Sequence, residues 1–378
     1  MAIYAYREER LLKTQKAMKE KGFDGLFLVT PGLIRYYTGI YISAWTGNCG
    51  ILIPAEGKMI MVSGLCDRDM ERIREESVGW IKDVRTWNPR LGDIPAKSFT
   101  EVVKEIISEQ FNRNDVLGVL YRDLPSHVFM TLKEHFPELT LRECDKLVNE
   151  VTSVCDEEEL VLLRRAAAIA DAGMEAAINV LKPGVSELYI AATADYAMRN
   201  AGATYNFDAT HVCSGSHILM EYWPTEKIIQ KGDIVKIDLH PTYQHYGADL
   251  CSTFILGKPS PEYRKMCEVT AEAAQEMINM MVPGKIVSDL DDEFRKTMKR
   301  NGYEQYCRWS MGHSTSTGYR AIWINGDDMT VLRPNMVICA NAFCFKPKAE
   351  GIMLEHMVLV KDGKPEVLNK MPLNLIEL

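Results

Sequence analysis

The sequence predicts an α+β protein of two domains, a smaller α/β domain over residues 1–150 and a larger one built from duplicated halves over residues 151–378. Three observations lead there. The 378 residues exceed the ~250–300 at which a single core stops growing. From Asp156 the texture changes from short mixed elements to a long Ala-rich amphipathic stretch, Glu157 to Leu181, which places the boundary around Lys146 to Cys155. Finally, the chain matches itself when shifted by one hundred residues. Ile178-Asn179 then falls on Ile278-Asn279, Pro183-Gly184 on Pro283-Gly284, Met198 on Met298 and Gly202 on Gly302.

In order along the chain, Leu11, Leu12, Gln15, Met18 and Gly22 have helical spacing and lead into a strand-like run from Asp24 to Val29, stopped by Thr30-Pro31-Gly32. Runs at Gly50 to Pro54 and Lys58 to Ser63 flank Ala55-Glu56-Gly57, a hairpin signature. Helical stretches at Asp67 to Glu76 and Ser98 to Phe111 precede a strand at Val116 to Tyr121. In the second domain each copy reads as a helix, a Pro-Gly break and a second helix closed by Gly. β-rich sequence follows each copy, Ile228 to Leu256 and Met336 to Leu359. Two related halves about a pseudo-twofold axis favour a site between them.

With 47% hydrophobic and 25% charged residues, the chain has the composition of a globular protein, and no apolar run approaches the ~20 residues of a membrane span. Arg7, Glu8, Glu9 and Arg10 interrupt any secretory leader, which points to the cytoplasm. Ten cysteines without a CxxC pair suit reduced, buried thiols. A formal charge of −8 without a run of Lys and Arg argues against nucleic acid as a partner.

Asp238 interrupts the apolar strand Asp233 to His240, and Asp249 follows eleven residues later across the turn-like Tyr243 to Gly247. A hairpin would bring both carboxylates together, where mutual repulsion calls for a proton or a cation between them. The same spacing also fits two surface residues flanking a turn. His313 lies among small residues, Met311 to Gly318, and Glu355 interrupts the apolar run Ile352 to Val360. Two Asp, one His and one Glu supply the oxygen and imidazole donors that suit Mn²⁺, Fe²⁺, Co²⁺ or Zn²⁺.

These residues, with Arg35-Tyr36-Tyr37-Thr38-Gly39, Asp156 to Ala172 and Gln230-Lys231-Gly232-Asp233, resemble the creatinase/aminopeptidase P family along the whole chain. The resemblance implies a C-terminal pita-bread domain, a creatinase-like N-terminal domain, a homodimer and a hydrolase of C–N bonds. In the peptidases of this family five ligands hold two metal ions. Carried over, they fall on Asp238, Asp249, His313 and Glu355, while Asn341 stands where the family has a Glu. Losing that charge favours one ion over two. Trp309 and Arg320 stand in place of two further histidines, and Glu221 in place of a third.

Creatinase uses the same fold without metal, so the resemblance also allows a metal-free site. Leu239-His240-Pro241 and Leu354-Glu355-His356 resemble that branch, and Trp45 stands near its substrate-clamping aromatic. The expected reaction is hydrolysis of a C–N bond in a small zwitterionic or dipeptide-like substrate, with Glu355 or Glu221 moving the proton and His313 beside the activated water. Trp45, Trp309, Arg320 and His240 are the expected substrate contacts. The alternatives are a true Xaa-Pro dipeptidase or aminopeptidase and a non-hydrolytic member, either a lyase or a catalytically silent binding module.

Overall fold

In the first helix, α1 (Glu8–Lys21), Leu11 and Met18 recur on one face and are buried, while Gly22 at φ +68° lets the chain leave the helix. The computed structural model to which these elements belong describes residues 8–40, 49–64, 81–87, 97–218, 223–315, 322–346 and 350–378. The helix expected over Asp67 to Glu76 lies outside them.

The chain divides into two units, Met1–Thr152 and Ser153–Leu378. In the first, α1 is followed by β1 (Gly25–Leu28), α2 (Pro31–Thr38), β2 (Gly50–Pro54), β3 (Ile60–Ser63) and β4 (Asp83–Thr86). Then come α3 (Phe99–Gln110), β5 (Val116–Val119), α4 (Ser126–His135), β6 (Thr140–Glu143) and α5 (Asp145–Thr152). The strands form one mixed sheet in the order β4-β3-β2-β1-β5-β6, with β1 antiparallel to β2 and parallel to β5. Gln15 in α1 donates to the carbonyls of Pro54 (2.9 Å) and Gly57 (3.0 Å), which pins the β2–β3 hairpin. Phe27, Leu52, Val62, Val103 and Leu117 fill one core.

The second unit starts with α6 (Glu157–Val180), whose first turn is closed by a reciprocal cap between Asp156 and Glu159. It continues through α7 (Glu187–Asn200), β7 (Tyr205–Asn206), β8 (His211–Ser214), β9 (Ile234–Leu239), β10 (Pro241–Tyr243), β11 (Tyr246–Gly247) and β12 (Leu250–Ile255). The second half supplies α8 (Pro261–Asn279), α9 (Val287–Arg300), β13 (Gly312–Ser314), β14 (Val337–Phe345), β15 (Gly351–Leu359), β16 (Glu366–Val367) and β17 (Ile376–Glu377).

The duplication extends to individual hydrogen bonds. The Gly184 N–H donates to the Ile229 carbonyl and the Gly284 N–H to that of Leu332, both at 2.9 Å. Ser186 bridges Ile228, and one hundred residues later Ile286 bridges Val331. Both Pro-Gly breaks need a left-handed glycine, at φ +94° for Gly184 and +87° for Gly284. Each helix pair packs over its own core, with Leu163, Ile190, Met198 and Val235 in one and Met266, Leu290, Phe294 and Ile338 in the other. The two halves share a largely antiparallel sheet in the order β13-β14-β15-β12-β9-β8, to which β16 and β17 add at β15 and β12.

Candidate metal centre

Strand register assembles the site. His211 lies opposite Asp238, Asp238 opposite Cys251, Cys251 opposite Glu355, and Glu355 opposite Asn341. Directly opposed residues of antiparallel strands project from the same face, so five side chains from β8, β9, β12, β15 and β14 form one rung across the sheet. Two residues further along β9 and β12, toward the turn between them, lie His240 and Asp249, and β13 contributes His313 beside Cys339.

The expected hairpin between Asp238 and Asp249 is present. It closes through Gln244 and His245, both at positive φ (48° and 74°), a tight turn with two non-glycine residues in left-handed backbone. Asp238, Asp249 and Glu355 are 3%, 1% and 1% exposed, so three carboxylates are withdrawn from water within one cleft. That placement is costly without cationic compensation.

His313 Nε2 stands 3.6 Å from Asp249 Oδ2 and 3.6 Å from Glu355 Oε1. With Cys339, one donor atom from each of these residues lies within 4.8 Å of all the others. The spacing exceeds the ~2.7–2.9 Å of a charge-assisted hydrogen bond and leaves room for an ion between the donors. On the opposite side of its ring, His313 Nδ1 is 3.3 Å from the Ser314 carbonyl, an orientation that directs Nε2 toward the carboxylates. Asn341 Oδ1 is buried and has no hydrogen-bond partner among the described residues, as expected of an oxygen aimed at an absent ligand. The donors present therefore fit a divalent cation.

Asp238 faces a different group. Its Oδ2 lies 3.5 Å from His211 Nδ1 and its Oδ1 3.3 Å from His240 Nε2, and that same Nε2 is 3.3 Å from Asp249 Oδ1. His240, expected as a substrate contact, is only 4% exposed and sits between two carboxylates. Burial disfavours its charged form, yet Asp238 and Asp249 outweigh that and push its pKa up to about 9. Burial likewise opposes ionisation of Asp238, but His240 and His211 hold its carboxyl well below the usual range. Burial, then Asp238, raise the Cys251 thiol well above its ordinary value, so this member of the rung stays protonated. His356, one residue along β15, points to the other face, with its Nε2 2.7 Å from the Met371 carbonyl.

The cluster opens onto a cavity of about 340 Å³. Its rim includes Trp309, 61% exposed and packed against Trp323 at 5.1 Å between ring centroids, together with Trp223 and Arg308. Gly312 lines the cavity and also packs closely against a neighbouring strand. At φ +144°, a Cβ there would lie 2.1 Å from the Cys339 carbonyl oxygen. Trp45, Glu221 and Arg320 lie outside the described residues. His211, Arg308 and Trp323 were not anticipated from the sequence. His211 occupies an ordinary-looking strand, and only cross-strand pairing places it beside Asp238.

Comparison with known proteins matches residues 161–362 to metallopeptidase family M24 and residues 10–154 to the creatinase/prolidase N-terminal domain. An Xaa-Pro dipeptidase of Pyrococcus furiosus is 27% identical over 366 residues, covering 96% of this chain and 98% of the relative. An Xaa-Pro dipeptidase of Pyrococcus horikoshii is 28% identical over 371 residues, covering 97% and 99%. The solved Xaa-Pro dipeptidase from Bacillus anthracis superposes with a TM-score of 0.84 at 25% identity, over 98% of this chain and 99% of that one.

Proposed function

The chain belongs to metallopeptidase family M24, and from that premise we propose a metal-assisted hydrolase that cleaves a C–N bond in a small zwitterionic or dipeptide-like substrate. The observation that carries this reading is the convergence of Asp249, His313 and Glu355 on one space at the floor of the cavity. Asn341 Oδ1, buried in the lining of the same cavity, offers a fourth donor. A divalent ion bound there supplies Lewis acidity, which brings a water's pKa toward neutrality and offsets charge on the attacked carbonyl oxygen.

The chain's own residues do the rest. His313 is oriented by the Ser314 carbonyl, Glu355 accepts the proton released from the water at a carboxylate oxygen, and the sheet holds both in register. Glu355 then gives that proton to the leaving nitrogen, and Glu221 is the alternative carrier for it. Trp309 and Trp323 form an apolar wall that limits water, and Arg308 and Arg320 offer guanidinium groups for a substrate carboxylate. Trp45 completes the substrate contacts from a partner subunit in a homodimer.

A narrower reading, Xaa-Pro dipeptidase, is favoured by what the two Pyrococcus relatives are called. A cytoplasmic location is supported by cysteines that are mostly buried among the described residues. The test is turnover of Xaa-Pro dipeptides beside creatine, ectoine and betaine-like compounds, with and without Mn²⁺, in wild-type protein and Asp249→Ala. Metal-dependent cleavage of one class that is lost in the variant is expected. Turnover of none, with no retained metal, would instead favour the silent binding module.

A further inference from the structure

We propose that one position of the repeat, occupied by Asp195 in the first half and by Arg295 in the second, holds the two walls of the cavity, each as a positioning residue for a segment that lines it. The kinetic consequences rest on the hydrolytic reading above, and the geometric ones do not.

The two residues lie one hundred positions apart, on α7 and on α9, the second helix of each copy. Each bonds to the chain that enters the next cavity strand, Asn206 to Thr210 ahead of β8 and Arg308 to Ser310 ahead of β13. Asp195 Oδ1 accepts from Asn206 Nδ2 at 2.9 Å and also from the Thr210 hydroxyl. Arg295 donates through Nη2 to the Arg308 carbonyl at 2.6 Å and through Nε to Asp291 Oδ2 at 2.7 Å. The copies therefore keep the contact while its residue changes from acid to base, one accepting from side chains and the other donating to backbone.

What each segment carries gives the contact its purpose. In the first half, the Ala209 carbonyl is 2.8 Å from His240 Nδ1, and the Phe207 N–H donates to the His240 carbonyl at 3.0 Å. The other nitrogen of that ring lies 3.3 Å from Asp249 Oδ1, so the segment held by Asp195 sets the ring that steadies a donor of the metal centre. In the second half, Arg308 and Trp309 line the cavity, and Trp309 packs on Trp323 with 37° between the rings. At 61% exposed, Trp309 has little packing of its own to fix its plane, which leaves that task to the backbone beneath it.

The same pair also lies behind the second indole. The Trp323 N–H donates to Asp328 at 2.9 Å, and a Cβ on Gly326, in the same turn, would lie 4.0 Å from Asp291 Oδ2. Asp291 is only 3% exposed, so its carboxylate needs the guanidinium beside it.

The test uses the full-length chain. Arg295→Met strands the buried Asp291 carboxylate, so it is compared with Asp291→Leu/Arg295→Met, which removes both charges. The single variant should lose unfolding stability and the double variant should recover it. In both, KM for the Xaa-Pro dipeptide or zwitterion that is turned over should rise about tenfold, with kcat within about twofold of wild type. The exciton circular-dichroism couplet of the Trp309 and Trp323 indoles, identified as the signal lost in Trp309→Phe, should weaken in both as well. In the first half, Asp195→Ala should lower kcat and the Mn²⁺ affinity of chelator-stripped protein about tenfold. Asp195→Asn should restore both, because the two bonds land on a single oxygen that an amide keeps. A double variant that regains KM and couplet along with its stability overturns the proposal, as does an Asp195→Asn no better than Asp195→Ala. If no compound is turned over, the hydrolytic reading fails and the couplet still decides this one.

Discussion

The two halves of the C-terminal unit share helices, breaks and bridging residues, yet they equip the cleft differently. The first half contributes His211, Asp238, His240 and Asp249, and the second contributes His313, Asn341 and Glu355. Their supports differ as well. Glu187 at the start of α7 is buried and accepts from Ser214 (2.6 Å), from Thr225 Oγ1 (2.7 Å) and from the Thr225 N–H (3.0 Å). Its counterpart one hundred residues later is the apolar Val287. Ser214 closes the strand that begins with His211, so a polar anchor steadies the side of the cleft that carries most of the histidines. A duplicated backbone thus conserves the frame, while the chemistry is set by a few positions where the copies diverge.

The difference is most severely tested at the second half's own donors. Glu355→Gln, nearly isosteric, should lower kcat/KM on the order of 10³-fold (~4 kcal/mol) and weaken metal retention, read by turnover and metal analysis. Activity within tenfold of wild type would show that the second half does not perform the chemistry. Exchanging the anchors comes next. Glu187→Val transplants the second half's residue into the first, strands the Ser214 and Thr225 donors, and should cost about 2–3 kcal/mol in denaturant unfolding. A smaller cost would mean the two supports are interchangeable.

A finer contrast lies where α6 carries Gly173 and α8, one hundred residues on, carries Ala273. A Cβ on Gly173 would lie 2.4 Å from Met198 Cγ and 3.2 Å from Leu239 Cδ1. Gly173→Ala should therefore lose about 1 kcal/mol, overpacking outweighing the gain in helix propensity, whereas Ala273→Gly should lose a similar amount through propensity alone. Equal loss by opposite routes is separable, since only Gly173→Ala should be relieved by a smaller residue at Met198.

The smallest effect concerns the first half's outer face, where Arg164 forms a two-point ion pair with Glu366. Arg164, then partial burial in opposition, then Lys361 bring the Glu366 carboxyl down to about 2. A depressed carboxyl stabilises the fold above its unfolded value, near about 4.3, and the benefit fades as pH falls toward the folded value. Arg164→Ala should cost about 0.5 kcal/mol at neutral pH and nothing measurable near pH 2, by parallel unfolding curves.

Much of this was legible in the sequence for local reasons. The repeat showed because Pro-Gly breaks are punctuation that burial does not disguise, and both copies kept theirs in phase. Asp238, Asp249 and Glu355 stood out because each interrupts an apolar strand, where a carboxylate needs a physical reason. His211 stayed hidden: its strand has no motif, and its partner Asp238 is assigned by the pairing of β8 with β9, a non-local fact. His240 was visible, but spacing gives no sign of whether a residue beside a turn faces substrate or lies between two acids. The tight contact of Gly312 with the Cys339 carbonyl was equally invisible, since small residues read alike whether they admit a ligand or a neighbouring strand.

Asp249 presents Oδ1 to His240 and Oδ2 to His313, so one side chain serves both donor groups. A single carboxylate thus couples the two groups: whatever changes the charge beside one of its oxygens changes how strongly the other holds a partner.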